Sequence, residues 1–123
     1  MRRTFIALTL VILGGLCSPY HAQQPSLAGE WIGGLDSGRQ WLDIKVRFPR
    51  EWAAGGAIDL PQYNLIDQPI GHASVAANRV HFEWPRGERG TATFDGEFTE
   101  GGLFGKYQRG DIRSTFYLVR DPK

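Results

Sequence analysis

The stretch QWLDIKVRF, residues 40–48, alternates apolar and polar side chains over most of its length. In an extended chain the apolar side chains fall on one face and the charged ones on the other: Leu42, Ile44, Val46 and Phe48 against Asp43, Lys45 and Arg47. A repeat of two residues is typical of a β-strand with one buried face. The stretch therefore predicts a strand that packs against an apolar core.

The same repeat occurs twice more, in RVHFEW (residues 79–84) and in DIRSTFYLVR (residues 111–120). In the first, Val80, Phe82 and Trp84 share the apolar face opposite His81 and Glu83. In the second, one face carries Phe116 and Leu118 and the other carries Tyr117 and Val119. Weaker strand patterns cover residues 30–35, 52–59, 71–76, 90–98 and 102–108. Turn-forming residues separate all of these segments, and no segment shows a sustained helical period.

About eight short strands joined by tight turns predict an all-β fold, an antiparallel up-and-down barrel. Closure of the sheet removes exposed strand edges, which a small domain covers poorly by other means. A two-sheet β-sandwich is the alternative. The connection LPQYNLIDQP, residues 60–69, contains two prolines and is interpreted as a lid or rim loop.

The chain begins with MRRTFIALTLVILGGLCSPYHAQQ, in which Arg2 and Arg3 precede a short apolar run. The run is shorter than the ~20 residues that a membrane-spanning helix needs. We therefore predict a signal peptide over residues 1–22, a short tether over 23–28 and one barrel domain over 29–121. This organisation predicts a secreted or periplasmic protein that does not insert into the membrane after cleavage.

Charge and cysteine content restrict the partners and the means of stabilisation. Loss of the leader leaves 12 basic and 13 acidic residues, which gives no electrostatic reason to expect nucleic acid as a partner. The single cysteine, Cys17, lies in the leader. The mature domain is therefore expected to be free of disulfides and to depend on core packing.

The stretch LAGEWIGGL, residues 27–35, places Trp31 among glycines at the start of the first strand. In a closed barrel the first and last strands are antiparallel neighbours, so Trp31 and Arg120 would meet at one rim. A guanidinium over an indole ring is favourable by roughly 0.5–2 kcal/mol. We predict that the pair closes one end of the barrel; the alternative is a core tryptophan beside a solvated arginine.

The Gly-x-Trp of the first strand and the basic residue of the last are similar to the pattern of lipocalin-like, or calycin, barrels. GEWIGGL, AIDLPQYNLIDQPI, RVHFEW and GGLFGKYQRG…TFYLVR also resemble a small β-domain that precedes the catalytic domain in some secreted bacterial α/β-hydrolases. The resemblance spans residues 29–120 and implies a small barrel. Because the chain ends at Lys123, we expect no hydrolase domain here and carry over no hydrolase activity.

Residues that bear catalytic chemistry are few. No serine has the G-x-S-x-G context of a hydrolase nucleophile, and GHAS, residues 71–74, does not by itself make a nucleophile–base pair. His81 and Glu83 share a strand face that His72 is able to join, which is fewer ligands than zinc usually takes. We predict no catalytic residue, metal or cofactor. The alternative is a small hydrolase or calycin-type isomerase that uses His72, His81 or Glu83.

Aromatic residues near strand ends are the strongest indication of a binding site. Trp52, Tyr63 and Trp84 are predicted to form the apolar walls of a barrel mouth, with Arg50 or Arg86 orienting a polar head at the rim. The competing interpretation is that the aromatics fill the barrel and leave no cavity. The predicted function is a non-catalytic binding or accessory module that holds a small apolar ligand or docks to an envelope or hydrolase partner. An exposed Trp41 within an apolar patch would instead indicate interaction through the outer surface.

Overall fold

Eight antiparallel strands follow one another in the computed structural model, which describes residues 26–122. They are β1 (Gly29–Asp36), β2 (Trp41–Phe48), β3 (Gly56–Leu60), β4 (Leu65–Ala76), β5 (Arg79–Pro85), β6 (Thr91–Thr99), β7 (Gly102–Arg109) and β8 (Ile112–Arg120). Short 3-10 helices occupy Trp52–Ala54, Pro61–Tyr63 and Gly87–Arg89. The predicted signal peptide, residues 1–22, lies outside the described residues.

Each strand pairs with the next, and β1 pairs with β8, so the sheet closes on itself. The predicted up-and-down barrel is therefore confirmed, and the two-sheet sandwich is excluded. Neighbouring strands run in opposite directions, so successive connections lie at opposite ends of the barrel. No helix among residues 26–122 is long and apolar enough to cross a membrane.

The inward-facing side chains fill the barrel. The alternation predicted for β2 and β5 is present, with the apolar position of each pair buried and its neighbour more exposed. In β8 the structure buries Phe116 and Leu118 and leaves Tyr117 exposed. The rings of Phe82 and Phe94 stack with centroids 4.6 Å apart, and Phe116 meets Phe94 edge-on at 5.1 Å. Among the described residues no polar or charged residue is buried. The middle of the barrel is thus an aromatic core rather than an open cavity.

Two inward-facing glycines let neighbouring strands approach closely. A Cβ atom at Gly33 would lie 1.8 Å from the carbonyl oxygen of Tyr117, and one at Gly105 would lie 2.0 Å from that of Asp95. Small barrels bend their strands sharply, and glycine permits this where a side chain would collide with backbone.

Two predicted segments differ from the structure. The strand expected over residues 52–59 begins only at Gly56, because Trp52–Ala54 form a 3-10 turn. The rim loop expected over residues 60–69 is mostly strand, since β4 begins at Leu65. Pro69 lies opposite Ala57 of β3, before pairing with β5 starts at Gly71. A proline without an N–H is tolerated there because only one neighbouring strand is hydrogen-bonded to that part of β4.

Candidate functional site

Residues 26–28 cover one end of the barrel together with Trp31 and Arg120, and we call this the closed end. The guanidinium carbon of Arg120 lies 4.1 Å from the Trp31 ring centroid, so the structure brings the predicted pair together. The indole N–H of Trp31 donates to the carbonyl of Leu27 at 2.9 Å, and Leu27 itself is fully buried. Arg120 donates to the carbonyls of Ser26, at 2.8 Å, and Ala28. Part of the predicted tether therefore belongs to the core.

The opposite end, the mouth, is formed by Tyr63, Trp84, Arg86, Tyr107 and Arg109. Trp84 and Tyr107 are the last buried inward-facing side chains of β5 and β7. Arg86 and Arg109 follow two positions later, so the alternation directs them to the rim of the same opening. Strand β6 lies between β5 and β7, and its residue opposite Trp84 is the small Ala92.

A cavity of about 180 Å³ lies at the mouth. Its walls include the apolar side chains of Leu35, Leu42, Leu60 and Trp84, and its polar border includes Tyr63, Arg86, Tyr107 and Arg109. A wider groove of about 940 Å³ adjoins it and shares Tyr63, Arg86 and Arg109. Pockets for drug-sized ligands span roughly 300–1,000 Å³, so the cavity fits a small molecule or one end of a larger one.

Guanidinium groups dominate the polar border. The guanidinium carbon of Arg86 lies 4.2 Å from the Trp84 ring centroid. Arg109 donates to the Tyr107 hydroxyl at 3.4 Å and to the carbonyl of Arg89 at 3.2 Å. Within residues 26–122, none of these three arginines forms an ion pair with a carboxylate.

The electrostatics of the mouth follow from this arrangement. Burial lowers the pKa of Arg86, and the charges of Arg109 and Arg89 lower it further, while Tyr107 opposes them. Asp36 also borders the cavity, and its carboxylate accepts a hydrogen bond from the Gly38 backbone at 2.8 Å. With Arg86 and Arg109 against Asp36, the cavity border carries a net positive charge above an apolar floor.

Trp84 differs from Trp31 in its hydrogen bonding. Its indole N–H is buried and has no acceptor among the described residues. A buried donor left unpaired costs about 1–3 kcal/mol. Both ends of the barrel thus place an arginine over a tryptophan, but the Trp31 N–H has a carbonyl acceptor, whereas the Trp84 N–H has none among the described residues.

The five predicted ligand-binding residues are divided between the two ends. Tyr63, Trp84 and Arg86 lie at the mouth. Arg50 and Trp52 lie in the β2–β3 connection at the closed end, where Trp52 packs half-buried against the core. The structure therefore does not bring all five together, because consecutive connections of an up-and-down barrel fall at opposite ends.

Sequence reasoning missed Tyr107 and Arg109. The sequence feature that points to these two residues is the alternation in GLFGKYQR, where Leu103, Gly105 and Tyr107 occupy every second position and Arg109 continues the series. This alternation is a weak indication because glycine interrupts the apolar pattern.

His81 lies on the outer face of the barrel between two carboxylates. Its Nδ1 is 2.7 Å from Asp95 and its Nε2 is 2.9 Å from Glu83, and a surface groove of about 530 Å³ runs beside His81 and Asp95. Partial burial lowers the pKa of His81, but the hydrogen bonds to both carboxylates outweigh it and raise the pKa. The Nδ1 contact with Asp95 joins β5 to β6, whereas the Nε2 contact with Glu83 lies within β5.

His72 does not join this group. It is exposed on β4 with a φ of 49°, where the pairing of β4 with β5 shifts register between Gly71 and Ser74. Among residues 26–122 no cluster of three His, Cys, Asp or Glu side chains is arranged to hold a metal ion.

An aromatic strip crosses the outer face on β7, β8 and β2. Tyr117 packs against Trp41, with ring centroids 5.6 Å apart, and against Phe104, at 6.4 Å. All three side chains are exposed, and the rings of Trp41 and Tyr117 lie over Gly34. This is the exposed apolar surface that interaction through the outer face would require.

Comparison with known proteins found no matching family, no similar curated protein and no similar solved structure.

Proposed function

We propose that this protein is a secreted, non-catalytic binding module that holds a small ligand at the mouth of its barrel. The observation that carries the proposal is the contrast between the two ends. At the closed end the Arg120–Trp31 pair is covered by residues 26–28, whose carbonyls accept its hydrogen bonds. A surface groove of about 570 Å³ lies beside the Arg120–Trp31 pair as well. The mouth differs because the cavity beside the Arg86–Trp84 pair has an apolar floor of leucine side chains, and because the Trp84 N–H has no acceptor among the described residues.

The chemistry of the mouth supports binding rather than catalysis. Arginine and indole N–H groups donate hydrogen bonds and stay in one protonation state near neutral pH. Leucine side chains and the Trp84 ring supply an apolar surface below them. A small concave site with an apolar floor and a few convergent donors is typical of ligand pockets.

We further propose that the barrel is of the lipocalin-like, or calycin, type and is related to the β-domain of secreted bacterial α/β-hydrolases. Support comes from the closed antiparallel barrel and from the arginine–tryptophan contact between its first and last strands. The basic and apolar leader supports export to the periplasm or beyond.

The test begins with the chain expressed with its leader and purified from the periplasm. Native mass spectrometry of this protein reports any retained molecule, and tryptophan emission is followed while bound molecules are extracted. We expect a retained small molecule whose removal shifts the emission. The shift should disappear in Trp84→Phe and persist in Trp41→Phe, because Trp41 lies on the outer face.

A retained molecule that gives the same shift in both variants would place the ligand elsewhere. A clean protein mass with emission unchanged by extraction would contradict the proposal, since the mouth would then be empty in the protein as purified.

A further inference from the structure

We propose that the ligand of the mouth carries a carboxylate, which is held between Arg86 and Arg109, while a short apolar group reaches toward Leu42 and Leu60. This inference rests on the proposed function and specifies the chemical class of the ligand.

Charge favours an anionic ligand. Arg86 and Arg109 border the same cavity, and Arg89 lines the adjoining groove. Asp36, which also lines the cavity, offsets their mutual repulsion only in part, and none of the three arginines forms an ion pair within residues 26–122. An anion between the two cavity arginines would remove this repulsion, and guanidinium groups bind carboxylates through paired, charge-assisted hydrogen bonds.

The apolar surface beneath the arginines favours a ligand with an apolar part. Trp84 lines the cavity together with leucine side chains. The Arg86 guanidinium carbon lies 4.2 Å from the Trp84 ring centroid, so a carboxylate bound to Arg86 places its apolar part beside this surface. A protonated amine or a hydrocarbon offers the arginines no hydrogen-bond acceptor.

The barrel's own closed end shows which groups an arginine–tryptophan pair binds in this fold. There the equivalent arginine–tryptophan pair receives the carbonyl oxygens of Ser26, Leu27 and Ala28, and the Leu27 side chain fills the space beside Trp31. Residues 26–28 therefore combine oxygen acceptors with one apolar side chain. A small carboxylate with an apolar tail reproduces that combination at the mouth, with the added charge that two facing arginines favour.

The cavity volume limits the size of the apolar part. At about 180 Å³ it is smaller than pockets for drug-sized ligands, so one aromatic ring or a short alkyl group fills it. Benzoate, benzyl alcohol and benzylamine are suitable probes, because they share one ring and differ mainly in the charge of the head group.

The experiment titrates the mature protein, after extraction of any retained molecule, with each of the three probes by calorimetry and tryptophan fluorescence. We expect benzoate to bind at least about tenfold more tightly than benzyl alcohol, and benzylamine to bind more weakly still. Arg86→Gln and Arg109→Gln should each weaken benzoate binding by about tenfold or more. Arg113→Gln is the matched control, because Arg113 is an exposed arginine on β8 outside the cavity lining and should leave binding unchanged.

Arg86→Lys and Arg109→Lys distinguish a loss of the guanidinium donors from a loss of folding. Each keeps the charge without the planar pair of donors, so benzoate affinity should lie between that of the wild type and the glutamine variant.

Equal affinity for benzoate and benzyl alcohol, or unchanged benzoate binding in both glutamine variants, would overturn the inference while leaving a ligand-binding mouth intact. Failure of all three probes to bind would also overturn it. In that case a retained neutral molecule, detected by native mass spectrometry, would preserve the proposed function, and a clean protein mass would remove both.

Discussion

Arg120 lies directly opposite Trp31 in the pairing of β8 with β1, and its guanidinium covers the indole ring at 4.1 Å. The same guanidinium donates to the carbonyls of Ser26 and Ala28. One side chain therefore joins the last strand, the first strand and the segment that precedes it. Barrel closure and coverage of the core at this end depend on the same residue.

Arg120→Ala should destabilise the protein by about 2 kcal/mol, because it removes a cation–π contact and hydrogen bonds to two carbonyls. In a domain of this size that corresponds to a fall in melting temperature of roughly 8–16 °C. Thermal unfolding followed by circular dichroism measures it. Arg113→Ala, an exposed arginine on the same strand, is the control, and equal melting temperatures for the two variants would contradict the prediction.

Leu27→Ala should destabilise the protein by about 2–5 kcal/mol, the range for removing a fully buried leucine side chain. Urea unfolding of the mature protein measures the change. Ile66→Ala, at an exposed position of β4, should have a much smaller effect. If the two variants unfold at the same urea concentration, Leu27 does not belong to the core in solution.

Gly105→Ala should destabilise the barrel by about 1–3 kcal/mol, since the new methyl group meets the Asp95 carbonyl and the Gly96 backbone. Gly101→Ala is a matched control, because nothing lies within 4 Å of its added Cβ. Differential scanning calorimetry of both variants tests the close approach of β6 and β7. A Gly105→Ala variant as stable as the control would show that these strands separate at little cost.

Asp59 should stabilise the protein at neutral pH and cease to do so in acid. Arg47 donates to its two carboxylate oxygens at 2.8 and 3.0 Å, which lowers the pKa of Asp59; burial opposes this, and a hydrogen bond from the Asp67 backbone adds to it. A lowered pKa contributes stability above the unfolded-state pKa, and that stability is lost as pH falls through the folded-state pKa.

Asp59→Asn should therefore cost about 1–2 kcal/mol near neutral pH, and the difference from wild type should shrink as the pH falls below the ordinary pKa of an aspartate side chain. Urea unfolding across this range measures it, with the exposed turn residue Asp111→Asn as control. A difference that stays constant with pH would exclude the carboxylate charge as its source.

His81 should show the opposite dependence. Its pKa is raised, so its stabilising interaction with Glu83 and Asp95 is present below the unfolded-state pKa and is lost as pH rises through the folded-state pKa. His81→Gln should be destabilising by about 0.5–1 kcal/mol near pH 5.5 and nearly neutral near about pH 9, since the pair is partly exposed. A destabilisation of the same size at both pH values would refute the assignment.

Short-range alternation predicted the barrel well because it depends on neighbouring residues alone. The inward positions of β2 and β5 could be identified from the sequence, since one buried face imposes a repeat of two. In β8 both faces carry apolar residues, and only the structure shows that Phe116 and Leu118 face the core. The segment over residues 60–69 was interpreted incorrectly because Pro69 suggests a loop wherever its strand partners are unknown. Trp52 was placed in a strand for a similar reason: its 3-10 turn depends on contact with β4.

The candidate site was only partly predictable. Trp84 and Arg86 are two residues apart on one strand, so local alternation is enough to place them together. Arg109 is distant in sequence, and only the pairing of β5 with β6 and of β6 with β7 brings it to the same opening.

Arg50 and Trp52 show the converse, because their composition suits a ligand site but their connection lies at the closed end. Alternation along single strands was enough to indicate what faces the core, since burial acts on each strand separately. The register and closure of the whole sheet decided which strand ends share a rim. They also decided which arginine has oxygen atoms within hydrogen-bonding distance.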